Sequence, residues 1–182
     1  YPEACLDYYV RGGLSGLFKD SPAVSNVYEF DKRGGQKSLG SMTSFGSTIR
    51  KRGYDIWLSP HPSMRSAWLA GKSGAPVSVG YASPWYNRLF YKKTVDRCFP
   101  KLHEVERILR LAGPLGIKEL STWPEIVLDP GVRGRADEYF ARLSAKPVLG
   151  IHPGSVWATK HWPAKYFAEI CKRALERGAG VM

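Results

Sequence analysis

Short β-rich runs alternate along the chain with stretches whose apolar positions recur at helical spacing. Ala4 to Val10 and Asn26 to Phe30 read as strands, separated by a helix-like segment from Leu14 to Lys19 and the turn Asp20-Ser21-Pro22. The glycine-rich, basic stretch Asp31 to Ser44 reads as a mobile loop. A helix from Phe45 to Arg52, a strand from Asp55 to Ser59, a helix from Met64 to Lys72 and a strand from Val77 to Tyr81 follow. After the aromatic run Trp85 to Tyr91, the apolar positions Leu102, Val105, Ile108, Leu109 and Ala112 predict an amphipathic helix from Lys101 to Leu115, ended by Gly113-Pro114. Pro124 to Leu128 reads as a further strand.

A charged helix, Val132 to Leu143, then leads into the apolar strand Val148 to Ile151. Phe167, Ile170, Cys171, Ala174 and Leu175 share one face of a helix that starts near Pro163 and stops at Gly178. Strands alternating with helices predict doubly wound α/β architecture. A second domain is expected to begin around the Val148 strand and its charged lead-in helix, which divides the chain into residues 1–130 and 131–182.

The 182 residues carry 27 Lys and Arg against 16 Asp and Glu, a net charge of +11. Residues 1–31 hold a net −3, residues 32–110 a net +11 and residues 111–182 a net +3. So concentrated a field favours an anionic partner such as nucleic acid, lipid headgroups, or phosphorylated and carboxylated sugars. Three scattered cysteines, Cys5, Cys98 and Cys171, form neither a disulfide framework nor a zinc site and fit a reducing compartment. No apolar run approaches the roughly 20 residues of a membrane helix, which predicts a soluble chain. The start has no signal-peptide character and no initiator Met, so the chain reads as an internal piece of a longer protein.

The stretch Val148 to Phe167, V-L-G-I-H-P-G-S-V-W-A-T-K-H-W-P-A-K-Y-F, carries the most chemistry. A buried strand feeds a loop holding Gly154, Ser155, Thr159 and Lys160, and a helix follows. The amides and dipole of a helix N-terminus favour phosphate, Gly154 permits close backbone approach, and Lys160 adds a full positive charge. The pattern is neither a Walker A loop nor a dinucleotide fingerprint. From the residues alone two readings stand level: a phosphate site, or an ordinary strand-to-helix turn with Trp157 and Trp162 as core and Lys160 in solvent.

H-P-G-S-V-W-A-T-K-H-W-P-A-K-Y-F-A, from His152 to Ala168, resembles the second-domain motif of glycosyltransferase family 9, the bacterial ADP-heptose:lipopolysaccharide heptosyltransferases. Tyr54 to Tyr81 and H-E-V-E-R-I-L from His103 are similar to that family in order and spacing. The resemblance implies a GT-B fold of two Rossmann-like domains, both incomplete in this chain, with the acceptor on the first and the donor on the second. It implies inverting, metal-independent heptose transfer from ADP-heptose, a substrate rather than a cofactor, to the lipopolysaccharide inner core. The expected location is cytoplasmic, peripheral at the inner face of the inner membrane.

By the same resemblance, Lys160 contacts the donor diphosphate, with Ser155, Thr159 and Gly154 beside it. Arg65 and Ser63 after the Ile56 strand, and His103 and Arg107 one helical turn apart, are acceptor-side candidates. Lys32, Arg33 and Lys37 could attract anionic sugars and lipid phosphates. The family's general base is an Asp after the first strand, expected upstream of Tyr1, so no catalytic residue is assigned, and the D-[ST]-G segment near the donor is expected beyond Met182. Residues 1–182 alone are therefore expected to be inactive. Two other readings are another GT-B transferase with a different nucleotide sugar, and a non-enzymatic nucleic-acid module built on Trp85, Tyr86, Phe90 and Tyr91 among Arg88, Lys92 and Lys93. On the transferase reading no nucleic acid is expected as a partner.

Overall fold

The computed structural model describes residues 3–31, 38–118, 120–143 and 147–182, so the cations Lys32, Arg33 and Lys37 lie outside the described residues. The chain divides into two compact units, residues 1–127 and 128–182.

In the first unit, β1 (Asp7–Arg11) and β2 (Asn26–Phe30) pair in parallel, Asp7 opposite Asn26 through Arg11 opposite Phe30. A separate parallel ladder joins β3 (Ile56–Leu58), β4 (Val77–Tyr81) and β5 (Lys93–Val95) in that order. Parallel strands need crossovers, and α1 (Leu39–Lys51) and α2 (Met64–Ser73) supply two of them. Met42 and Ile49 of α1 bury against Phe30 and Leu69, with Tyr9, Phe45, Trp57 and Trp68 packed around them. Ala67 and Ala70 of α2 pack with Tyr91, and Val79 and Tyr81 of β4 pack with Leu111. β4 thus has apolar cover on both faces, as a parallel sheet requires. The side chain at position 80 must be absent, because a Cβ on Gly80 would lie 2.4 Å from the buried Tyr91 ring.

Several expectations need correction. The polar stretch before Phe45 is helical from Leu39, because the Ser38 hydroxyl accepts from the Ser41 amide at 3.2 Å and caps the helix. The segment from Lys101 to Leu115 is a short helix, α3 (Glu104–Leu109), continued by a 3-10 turn, Arg110–Leu115, that contains Pro114. Pro124 to Leu128 forms no strand: Ile126, Val127 and Leu128 are exposed with no strand beside them. β5 was not anticipated, its three residues being too short for a period to show.

The second unit contains α4 (Pro130–Arg142), then β6 (Val148–Leu149), α5 (Ala164–Glu176) and β7 (Gly180–Val181). β6 and β7 pair in parallel, with Val148 opposite Gly180, so the segment is a βαβ crossover with α5 as its helix. Asp129 caps α4, accepting from the Val132 amide at 3.2 Å.

Candidate functional site

The loop from Gly150 to Pro163 connects the carboxyl end of β6 to the first turn of α5, the position where open α/β sheets bind ligands. Trp162 stacks on Tyr166 with ring centroids 5.4 Å apart and meets Phe167 edge-on at 5.0 Å, which fixes the entry into the helix. Both of the helix's first amides, Ala164 and Lys165, precede any intrahelical acceptor, and no side chain caps them. Ahead of them the loop closes on itself, the His161 Nε2–H donating to the Ser155 carbonyl. Within that closure a 3-10 turn, Ala158–Lys160, carries Thr159 and Lys160.

Gly154, Thr159 and Lys160 are exposed, and among the described residues neither the Thr159 hydroxyl nor the Lys160 ammonium has a partner. The Ser155 hydroxyl is half-buried and accepts from the Trp157 amide at 3.3 Å. Trp157 is 66% exposed rather than a core residue. A cation, a hydroxyl and a set of uncapped helix amides therefore share one short, closed loop, the composition of an oxyanion or phosphate cradle.

In the first unit the acceptor-side candidates divide. The Ser63 hydroxyl caps α2, accepting from the Ser66 amide at 3.3 Å, and Arg65 lies half-buried in the first turn of that helix. Likewise His103 caps α3: its Nδ1 accepts from the Val105 amide at 3.4 Å while Glu106 accepts from the His103 amide at 2.8 Å. Ser63 and His103 thus also cap helices, through the Ser63 Oγ and the His103 Nδ1.

Arg107 joins a polar cluster with residues whose sequence positions do not mark them as its partners. Glu104 accepts from Arg97 at 2.8 and 3.0 Å and from Arg107 at 2.6 Å. The Arg107 guanidinium also lies 4.6 Å over the Phe99 ring, and that of Arg97 5.6 Å from the Tyr81 ring. Two guanidiniums hold the Glu104 carboxyl below its ordinary value, the hydrogen bond from Arg97 contributing most. Burial pushes the Tyr81 phenol up.

The Nε atoms of Arg97 and Arg107 and the Tyr81 hydroxyl are buried without a hydrogen-bond partner among the described residues. Arg97 and Phe99 line a cavity of about 370 Å³ with Pro62, Ser83, Pro84 and Asp96. It opens just beyond the carboxyl ends of β4 and β5. The guanidiniums of Arg97, Arg107 and Arg110, the last donating from its Nε to the Asp96 carbonyl, against the carboxylates of Glu104 and Asp96 leave one unit of positive charge there, so the arrangement can take an anion. Spacing could have suggested Glu104 and Arg107 as an i,i+3 pair, but nothing local marks Arg97 as their partner.

The aromatic run divides too. Tyr91 is buried, and Asn87 is buried with its Nδ2 donating to the Tyr81 carbonyl at 2.9 Å, whereas Trp85 is 75% exposed. These residues hold a loop against the sheet rather than present a row of stacking faces. No group of three or more His, Cys, Asp or Glu suited to a metal occurs among the described residues. Nor does any helix among them have the length and apolarity to cross a membrane.

The chain is 25% identical over its full length to lipopolysaccharide heptosyltransferase 2 of Escherichia coli K12, of which it covers 55%. Its fold matches a glycosyl transferase family 9 structure from Veillonella parvula with a TM-score of 0.83 and 23% identity, over 99% of this chain and 54% of that one. An Escherichia coli heptosyltransferase solved with ADP-2-deoxy-2-fluoro heptose matches with a TM-score of 0.69 and 21% identity, over 99% and 59%. The chain thus spans about half the length of the relatives it matches, and its fold is that of the GT-B heptosyltransferases. Residues 42–182 match the model of glycosyltransferase family 9 (heptosyltransferase), and the chain belongs to that family.

Proposed function

We propose that this chain is the acceptor-binding part and the first donor-binding elements of an enzyme that transfers heptose from ADP-heptose to the lipopolysaccharide inner core. The observation that carries the reading is the β6–α5 loop. Lys160 and Thr159 are unengaged on a closed turn ahead of uncapped helix amides, within the segment that matches the family. A relative bound to a fluorinated ADP-heptose supports the choice of donor.

In the reaction, the bond between the sugar and the diphosphate breaks, and negative charge accumulates on the departing ADP. Lys160 and the α5 amides would stabilise that charge without a metal ion, because fixed donors cost no reorganisation as the charge forms. Attack by the acceptor hydroxyl on the opposite face would invert the sugar centre. The Arg97–Glu104–Arg107 cluster would hold an anionic group of the acceptor, a carboxylate or phosphate, beyond β4 and β5. Carrying this chemistry out requires the protein in its full-length form, working at the inner face of the membrane where the lipid-linked acceptor is exposed.

The test is Lys160→Ala in the full-length protein, assayed with ADP-heptose and a heptose-deficient core. A charge-assisted contact of about 1.5–3 kcal/mol predicts a loss of roughly 10- to 150-fold in kcat/KM. An unchanged kcat/KM removes Lys160 from the donor site.

A further inference from the structure

In the first unit the apolar side chains of Trp85, Leu89 and Phe99 are 75%, 72% and 71% exposed. Loose packing does not account for them, because the backbone that carries them is pinned. Trp85–Leu89 is a 3-10 turn anchored by the buried Asn87, whose Nδ2 donates to the Tyr81 carbonyl at 2.9 Å and the Ser83 carbonyl at 3.3 Å. The Asn87 carbonyl accepts from the Phe90 and Tyr91 amides at 3.0 and 3.1 Å, and both of those rings pack on α2. Phe99 follows Cys98, whose carbonyl accepts from the Lys101 amide at 2.9 Å, and its ring lies against the Arg107 guanidinium. Nor are the three scattered. Phe99 and Pro84, the residue before Trp85, line the same cavity beyond β4 and β5, and Leu89 closes the turn that Trp85 opens. Large apolar side chains gathered in solvent around a polar opening mark an interaction surface.

Charge identifies the partner. From Trp85 to Arg110 the chain carries seven Lys and Arg against three acids, a net +4. All three carboxylates are engaged: Asp96 accepts from the Cys98 amide, Glu104 from Arg97 and Arg107, and Glu106 from the His103 amide. Arg88 and Lys92, on either side of Leu89, are exposed and form no ion pair among the described residues. A single-stranded nucleic acid would need a row of open ring faces, and here Tyr91 is buried and Phe90 is packed beside it. Exposed indole, Leu and Phe side chains beside unpaired cations are instead the complement of an anionic lipid surface, which offers hydrocarbon next to phosphate.

We propose that Trp85, Leu89 and Phe99, with Arg88 and Lys92, are the surface that docks this protein on an anionic phospholipid bilayer. The apolar side chains enter the headgroup region and the two cations meet lipid phosphates. This deepens the transferase reading, on which it rests for the purpose of the surface: docking here sets the cavity lined by Phe99 at the bilayer, where an anionic group carried on a lipid can reach it.

The test is co-sedimentation of the full-length protein with vesicles of phosphatidylcholine, alone or mixed with phosphatidylglycerol. No sugar donor or acceptor is present, so the outcome is separate from that of the transfer assay. Wild type should bind the mixed vesicles. Trp85→Ser combined with Leu89→Ser should weaken that binding by at least roughly 10-fold, through lost apolar burial. Arg88→Gln combined with Lys92→Gln should weaken it by roughly 10- to 30-fold, at about fivefold per cation, and leave binding to phosphatidylcholine unchanged. Acyl-chain-brominated lipid should quench tryptophan fluorescence in wild type, and Trp85→Phe should keep vesicle binding while losing part of that quenching. Should the serine variant fail to fold, the Trp85→Phe quenching decides. No binding of wild type to mixed vesicles overturns the proposal, as does equal binding by wild type and a folded serine variant. Quenching that Trp85→Phe leaves unchanged also overturns it, leaving adsorption by charge alone. Self-association or oligonucleotide binding that the serine variant abolishes, with vesicle binding unaffected, overturns it in favour of a second copy or a nucleic acid.

Discussion

Replacing Glu104 by Ala removes the carboxylate to which both Arg97 and Arg107 donate and leaves the Arg107 guanidinium, with its side chain 10% exposed, over Phe99. Breaking a fully buried pair costs about 3–5 kcal/mol and an exposed one at most about 1. Glu104 is 44% exposed and Arg97 31%, so solvent screens part of the interaction and the expected loss is about 2 kcal/mol. With a urea slope of about 2 kcal/mol/M, the unfolding midpoint at pH 7 should fall by about 1 M without a change in slope. The pH dependence follows from the folded Glu104 carboxyl lying below its ordinary 4.5. Its stabilisation is present in full above about 4.5 and is lost as pH falls through the folded value. Wild type and Glu104→Ala should therefore converge in acid. Equal midpoints at pH 7, or a gap that persists undiminished in acid, would refute the assignment of Glu104 as the clamp.

Three further outcomes are expected. Gly80→Ala places a Cβ against the Tyr91 ring at 2.4 Å and should cost about 2–3 kcal/mol, seen as a Tm lowered by roughly 5–10 °C; an unchanged Tm would mean that the β4–Tyr91 packing is wrong. Tyr91, whose phenol burial pushes up to about 12, should stay protonated while exposed tyrosines ionise near pH 10. Its contribution to stability is then lost as pH rises from about 10 toward 12, and a single Tyr91→Phe variant should lack that step in alkaline unfolding. Glu104→Gln, which keeps the shape and removes the charge, should strengthen inorganic phosphate binding at the cavity beyond β5; weaker binding would contradict an anion site there.

Much of the fold was legible because alternating short strands and 3.6-residue periods are strong signals, and β2, β4 and α5 fell where the pattern put them. The failures have physical causes. Ser38 turned a polar, glycine-rich stretch into helix through a single cap, which composition does not reveal. Ile126 to Leu128 looked like a strand because β propensity measures fit to a neighbour, and there is none.

The site divided in the same way. The loop holding Ser155, Thr159 and Lys160 is contiguous, so its chemistry could be read from the residues in order. The cluster of Arg97, Glu104, Arg107 and Tyr81 is assembled by the sheet end and α3 together, and only Arg107 was anticipated. Ser63 and His103 cap helices as well, a duty the same polar side chains can serve and one that depends on where each helix begins.

The most direct measurement of the central claim is release of ADP when the full-length protein is given ADP-heptose and a heptose-deficient lipopolysaccharide core, followed with and without the acceptor. The account predicts acceptor-dependent ADP release, with gain of a heptose by the core. Acceptor-dependent release from another nucleotide sugar, with none from ADP-heptose, would contradict it.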